Sequence, residues 1–292
     1  MVIEAGSKRG GPRSVAQWES DHEYRYISLR RATPNVGAFI DDIDVSRLDE
    51  PTFNEVRRAL AEHCVLFFRN QDISTEDHIA FGRRFGDLDV HPAAANATGH
   101  PEILVIAADE HSSRANGEAW HSDVSCQTEP PMASILHMHE TPPSGGDTMF
   151  SSMYAAYEAL SPRMQSYLEG LTALHDGEHV YRGLYDNVAD KPKYPRAEHP
   201  IVRTHPESGR KCLFVNRSFT TKIVGLPIDE GNAILQYLYA HMEHPNFQVR
   251  FNWEPRSIAM WDNRCAQHRA IWDYWPHRRY GHRVTVKGDR PF

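Results

Sequence analysis

Trp120-His121-Ser122-Asp123-Val124 carries a histidine and an aspartate two residues apart. In an extended chain such residues project from the same face, so an imidazole and a carboxylate converge. A pair of this kind becomes a metal centre only with a third ligand. His268, in Gln267-His268-Arg269 far downstream, is the candidate, because it follows a segment, Ser257 to Trp261, that reads as a strand able to return across a barrel. Two imidazoles and one carboxylate on one face leave three positions of an octahedral ion open, the arrangement of non-heme Fe(II) oxygenases. The same three ligands would also suit a metal-holding or ligand-sensing protein without turnover, or a hydrolytic zinc site.

Two further residues narrow the chemistry. Thr148, in Gly145-Gly146-Asp147-Thr148, and Arg279, in His277-Arg278-Arg279, offer a hydroxyl and a planar guanidinium suited to a carboxylate. A dicarboxylate cosubstrate is implied, and a protein that merely held a metal would not need that clamp. Of the 18 histidines, most are expected on the surface or satisfied in the core. Cys64, Cys126, Cys212 and Cys265 are widely scattered, which fits reduced, buried thiols better than a disulfide frame or a zinc knuckle.

The elements that must position these groups are legible as short strands with a few helices. Phe53, Val56 and Leu60 recur at helical spacing from Thr52 to His63, and the run Cys64 to Phe68 reads as a buried strand. Ser74 with Asp77 resembles a capping box and opens a helix reaching about Phe85, ended by Gly86. Leu88 to Asn116 looks like a loop or lid region around one strand, Ile103 to Ile106. Ala133 to His139 is a strand, and Pro142 to Gly146 is a turn into another. Met153 to Leu160 is a helix, and Ser161-Pro162 starts the next, through about Leu168. Residues 176–198 read as a long irregular excursion. Cys212 to Asn216 is a strand. Phe247 to Trp253 is another, with Phe247, Val249, Phe251 and Trp253 on one face. Asp229 to Met242 is a helix with Ile234, Leu235 and Leu238 inward, and Arg283 to Val286 is the last strand. By this reading helices gather early and strands late. The pattern argues for a mainly β fold with flanking helices, a jelly-roll or barrel-like core.

Composition bounds the rest. The chain has 292 residues, 40% hydrophobic and 24% charged, which suits one folded domain over residues 25–292 behind a polar, mobile leader at 1–24. Thirty-two Lys and Arg against 39 Asp and Glu give a net charge of −7, which disfavours nucleic acid as a partner. No apolar run approaches the roughly 20 residues of a membrane span, and the N-terminus lacks a secretory pattern, so a cytoplasmic location is expected.

Six stretches together resemble the taurine/2-oxoglutarate dioxygenase family, which also includes alkyl-sulfatases and phenoxyalkanoate dioxygenases. They are FGRRFGDLDVHP (81–92), WHSDVSCQTEPP (120–131), GGDTMF (145–150), FVNRSFTTKIVG (214–225), WDNRCAQHRA (261–270) and RRYGHRVTVKGDRPF (278–292). The resemblance spans nearly everything from about Tyr24 to Phe292. It implies a double-stranded β-helix, a jelly roll, and an enzyme that uses Fe(II), 2-oxoglutarate and O2. By it, His121, Asp123 and His268 are the catalytic iron ligands, and Thr148 and Arg279 hold the distal carboxylate of 2-oxoglutarate. It further implies that His91 and Arg283 grip the substrate's anionic head, that Val124 lends a backbone N–H, and that Phe219 forms an apolar wall. Ala94 and Asn116-Gly117 stand where the taurine enzyme has a tyrosine and an Asp-Asn pair to meet the amine. An ammonium would be poorly met there, so the expected substrate is a small organic anion with an apolar or neutral far end. Such an anion could be an alkylsulfonate, a sulfate ester or an aryloxyalkanoate, hydroxylated next to its anionic or heteroatom group with release of succinate and CO2. A homo-oligomer, dimer or tetramer, is also implied.

Overall fold

The computed structural model describes residues 23–90, 96–97, 99–113, 117–182 and 194–292. The leader up to residue 22, His91, Ala94, Asn116 and the centre of the 176–198 segment lie outside these. In chain order the first elements are β1 (Ser28–Arg31), β2 (Ala38–Asp41), α1 (Glu50–His63), β3 (Val65–Phe68), α2 (Thr75–Arg83), β4 (Asn96–Ala97) and β5 (His100–Ala108). Then follow β6 (Ala133–Glu140), β7 (Thr148–Ser152), α3 (Met153–Glu158), α4 (Pro162–Leu168), β8 (Thr172–Asp176), α5 (Glu178–Tyr181) and β9 (Arg196–Pro200). The remainder is β10 (Val202–Thr204), β11 (Lys211–Leu213), β12 (Thr220–Ile223), α6 (Ile228–Met242), β13 (Gln248–Phe251), β14 (Ile258–Asp262), β15 (Ala266–Ala270) and β16 (Arg279–Val286).

Eight strands form one sheet in the order β1-β2-β3-β14-β6-β16-β5-β4. A second sheet, β13-β7-β15, packs against its inner face, and β12-β8-β9 and β10-β11 form two smaller sheets. The inner core joins Val65, Phe67, Leu136, Met138 and Trp261 of the large sheet to Phe150, Val249 and Phe251 of the second. Phe67 and Phe251 stack at 4.1 Å between centroids, a contact worth about 0.5–1.5 kcal/mol beyond the area it buries. On the other face Leu66, Phe68, Ile135, Ile258 and Met260 pack on Phe53, Val56 and Leu60 of α1 and Phe81 of α2. A strand covered on both faces has no polar alternation, which is why β3 reads Val-Leu-Phe-Phe and is buried throughout. The two facing sheets with helices outside make a jelly roll.

Local signals explain the helix starts. Asp49 caps α1 by accepting from the Thr52 N–H, with Pro51 in the first turn where its missing N–H costs nothing. Ser74 and Asp77 cap α2 reciprocally, as the spacing predicts. Both ends of α4 agree with the Ser161-Pro162 reading; Phe247, Val249, Phe251 and Trp253 are all buried, although the strand there, β13, is shorter than the expected Phe247 to Trp253. All four cysteines are free and buried. Among the described residues no helix is long and apolar enough to cross a membrane.

Several expectations need correction. Strands begin at Ser28 and α6 comes late, so helices are not confined to the first part of the chain. Residues 176–198 include α5 and the start of β9, which pairs with β8, so that segment is only partly irregular. The region 88–116 holds a nine-residue strand, β5, rather than a short one in a loop. Ile234 of α6 is only partly buried, whereas Leu235 and Leu238 enter the core. Residues 121–123 form no extended strand: His121 makes an isolated bridge and Asp123 starts a turn.

Candidate active site

His121 and His268 meet through the backbone before their side chains meet. The His121 N–H donates to the His268 carbonyl at 3.0 Å and the His268 N–H donates back at 2.8 Å, an antiparallel bridge that sets both rings on one face. Their centroids are 4.2 Å apart. His268 is not merely beyond a strand; it sits on its own strand, β15, opposite Phe150 of β7. The turn after His121 brings Asp123 to the same place, so the convergence inferred from extended geometry is reached by a bridge and a turn. One donor atom from each of His121, Asp123 and His268 lies within 4.8 Å of the others.

The protonation pattern suits a cation. The His121 Nδ1 faces the Ala119 carbonyl at 2.8 Å, and a carbonyl only accepts, so that nitrogen carries the hydrogen. The lone pair therefore lies on Nε2, 3.7 Å from Asp123 Oδ1. Nδ1 of His268 is buried without a hydrogen-bond partner among the described residues. Burial, then the neighbouring His121, pushes His268 well below the usual imidazole range; burial also lowers His121, against the pull of Asp123. Burial alone would raise the Asp123 carboxyl, but Arg283 and then the two imidazoles outweigh it and hold it well below the usual carboxylate range. Two neutral imidazoles and an ionised carboxylate form a donor set fitted to a divalent ion.

A buried network fixes the carboxylate. Ser134 Oγ donates to Asp123 Oδ2 at 2.7 Å, and Trp261 Nε1 approaches the same oxygen at 3.3 Å. Asn263 ties these together: its Oδ1 accepts from the Asp123 N–H at 3.2 Å and from Trp261 Nε1 at 3.1 Å, while its Nδ2 donates to Ser134 at 3.1 Å. Trp261 and Asn263 thus brace the site. Asp262 does not, because it faces His205 and Arg264 elsewhere. Nothing about Ser134 marks it in the sequence except a hydroxyl between the apolar neighbours Ala133 and Ile135.

Thr148 and Arg279 line the same cavity, of about 780 Å³, as the three candidate ligands. Arg279 is 6% exposed; its Nε donates to the Gly146 carbonyl at 3.0 Å, and no carboxylate pairs with it among the described residues. Burial lowers it to about 10, opposed by Tyr274 and Asp147, which leaves it a cation at neutral pH. Thr148 Oγ1 accepts from Trp253 Nε1 at 2.9 Å, so its own hydrogen is free to donate into the cavity. Trp253 reads as core from its alternation, and its indole N–H adds this second role. A buried guanidinium beside an oriented hydroxyl fits a carboxylate group.

Val124, Phe219 and Arg283 also line the cavity, with Leu104, Ile106, Leu136 and Tyr181. Val124 has φ of +46°, a conformation a β-branched residue rarely adopts and one that clusters at functional sites. Arg283 faces Asp123 Oδ1 at 3.0 Å. His91 lies outside the described residues. Tyr181, on α5, comes from the stretch read as irregular and is missed by sequence reasoning. A second ligand-like group, His205, Asp262 and Cys265, is buried but already satisfied: Arg264 takes both Asp262 oxygens, and His205 Nδ1 accepts from the Ser208 N–H at 3.1 Å.

Comparison with known proteins shows relatives in sequence and fold. The family model "Taurine catabolism dioxygenase TauD, TfdA family" matches residues 28–285. An alpha-ketoglutarate-dependent sulfonate dioxygenase of Saccharomyces cerevisiae is 33% identical over 280 residues, covering 91% of this chain and 68% of that protein. An alpha-ketoglutarate-dependent 2,4-dichlorophenoxyacetate dioxygenase of Cupriavidus pinatubonensis is 35% identical over 257 residues, covering 81% of this chain and 89% of its own. The crystal structure of a taurine dioxygenase from Burkholderia xenovorans superposes with a TM-score of 0.80 at 35% identity, over 91% of each chain. A family match over residues 28–285, with relatives at 33% and 35% identity, means that the chain belongs to the TauD/TfdA family of 2-oxoglutarate-dependent dioxygenases.

Proposed function

We propose that His121, Asp123 and His268 hold a ferrous ion, that Thr148 and Arg279 hold the distal carboxylate of 2-oxoglutarate, and that the chain hydroxylates a small organic anion. The observation that carries this reading is Arg279, a buried cation without a carboxylate partner among the described residues, in the same cavity as the three ligands. When bound, the ion and 2-oxoglutarate supply the oxidation by O2 of a substrate C–H bond, coupled to loss of CO2 and formation of succinate. The protein's own contribution is positioning. Arg279 and Thr148 fix one end of the cosubstrate. Arg283, His91 and the backbone N–H of Val124 receive the substrate's anionic head, which directs the adjacent carbon toward the three ligands. Hydroxylation at that carbon gives an adduct that expels sulfite, sulfate or a phenol.

The cavity wall favours an apolar tail. Leu104, Ile106, Leu136 and Phe219 line it, and Tyr181 packs on Phe219 at 5.9 Å between centroids. An alkylsulfonate, a sulfate ester or an aryloxyalkanoate buries its far end there, whereas taurine would place an ammonium against it. The test is succinate formed from 2-oxoglutarate across a panel of these anions and taurine. Substrate-dependent succinate is expected with at least one apolar-tailed anion; faster turnover of taurine than of every such anion would reject the substrate assignment. The four buried free thiols favour a reducing compartment, the cytoplasm.

A further inference from the structure

We propose that Arg283 holds either Asp123 or the substrate's anionic head, so that binding of the metal and binding of the substrate strengthen each other. This rests on the ligand assignment above and adds a coupling that the assignment does not require. Oδ2 of Asp123 is taken up by Ser134 and Trp261. Oδ1 is the oxygen nearest the His121 lone pair, at 3.7 Å, and so the one an ion shared with the imidazoles must use. Arg283 Nη1 already sits on that oxygen at 3.0 Å. The two claimants are both cations, and in a buried site they repel each other strongly.

Arg283 is built to change partner. Its Nε is buried and lacks a hydrogen-bond partner among the described residues, so the planar fork is only partly used. Its side chain lines the cavity on the same strand as Arg279. A divalent ion on Oδ1 pushes the guanidinium toward the cavity, where a sulfonate, sulfate or carboxylate satisfies it in bidentate fashion. By linkage the effect is reciprocal: an anion that draws Arg283 away frees Oδ1 for the ion by the same factor.

The experiment is titration with Mn(II) alone, read as loss of the free-ion EPR signal, in the wild type, Arg283→Met, Arg283→Lys, Arg217→Gln and Asp123→Ala. Arg283→Met should bind Mn(II) about tenfold more tightly than the wild type, as expected when a competing charge is removed from a buried carboxylate. Arg283→Lys keeps the charge and should remain near the wild-type value. Arg217 lines the same cavity but is engaged with Glu243, so Arg217→Gln should change little. Adding 1-hexanesulfonate should tighten Mn(II) binding in the wild type and not in Arg283→Met. Unchanged or weaker binding in Arg283→Met overturns the competition, and a sulfonate without effect on the wild type overturns the transfer. Binding that survives Asp123→Ala instead refutes the ligand assignment itself, so the two failures are distinct.

Discussion

Arg279 and Ser134 make opposite demands on the residues they serve, and each gives a separate prediction. Arg279 is held by the Gly146 carbonyl, kept cationic in a buried wall and without a carboxylate partner among the described residues. Replacing it with Met removes a charge-assisted bidentate pair, a loss of about 2–5 kcal/mol. The Kd for 2-oxoglutarate, measured by calorimetry with Mn(II) present, should rise by roughly 30- to 5,000-fold. A rise below threefold would remove Arg279 from the cosubstrate site. Arg279→Lys should recover little, since a point charge does not reproduce the planar fork. Ser134 does not line the cavity; it orients Asp123, a proposed metal ligand, through Oδ2. Ser134→Ala should weaken Mn(II) binding by roughly 10–100-fold, the usual cost of losing an outer partner of a metal ligand. That shift is opposite in sign to the one expected for Arg283→Met, so the pair separates bracing from competition.

At the scale of elements, the turn before β7 positions Arg279, the proposed carboxylate clamp. Gly146 has φ of +70°, and an added Cβ would lie 3.2 Å from Arg279 Cδ and 3.1 Å from Pro142 Cγ. The turn is tied down by Asp273, which accepts from the Gly146 N–H at 2.8 Å, and by Asp147, which accepts from Asn252 at 2.9 Å and from Arg250. Gly146→Ala should therefore cost about 1–3 kcal/mol of stability through backbone strain and raise the Kd for 2-oxoglutarate by displacing Arg279. Urea unfolding and calorimetry on one preparation would show both, and an unchanged Kd would detach the turn from the clamp. The GGDT motif is conspicuous in the sequence for the same reason that it is fragile: glycine enters that positive-φ backbone at little cost, and a side chain there is strained. Other elements are legible for equally local causes, such as the Ser74 and Asp77 cap and the alternation along β13. The short strands β1, β2, β8, β9, β10 and β12 are not, because three to five residues carry too little periodicity and their pairing is set by partners distant in the chain. The same holds inside the site. His121, Asp123 and His268 are legible as residue types, but their meeting depends on a bridge between segments far apart, and Ser134 and Tyr181 acquire roles only from neighbours the sequence does not place beside them.

Across the whole molecule, histidines kept neutral by burial are packed outside the proposed ligand set, and they set its tolerance to acid. His78 of α2 donates Nε2–H to the Ile135 carbonyl at 3.1 Å, between the helix and the large sheet. His175 of β8 meets Ser125 at 3.0 Å and Thr220 at 3.3 Å in a smaller sheet. Burial first, and then His137 and His199 respectively, lowers each from 6.5 to about 3. His139 and His282, on the face toward His78, are lowered in the same direction, to about 4, mainly by burial. Below pH 6.5 the unfolded chain therefore takes up protons that the folded chain refuses, so stability is fully present above 6.5 and falls as the pH drops toward 3 to 4. His78 and His175 each contribute a slope of about 1.4 kcal/mol per pH unit in that window. Between pH 6.5 and 5 they remove about 2 kcal/mol apiece, a large share of the 5–15 kcal/mol typical of a folded domain. The depressed carboxyls of Asp123 and Asp262 act in a lower window, since they weaken the fold only once the pH falls below the usual carboxylate range. Urea midpoints should accordingly decline steadily from pH 7 to 5 in the absence of metal and cosubstrate, and His175→Gln should flatten that decline by about one proton. A midpoint independent of pH over this range would mean that the buried imidazoles are protonated without cost, contrary to the packing around them.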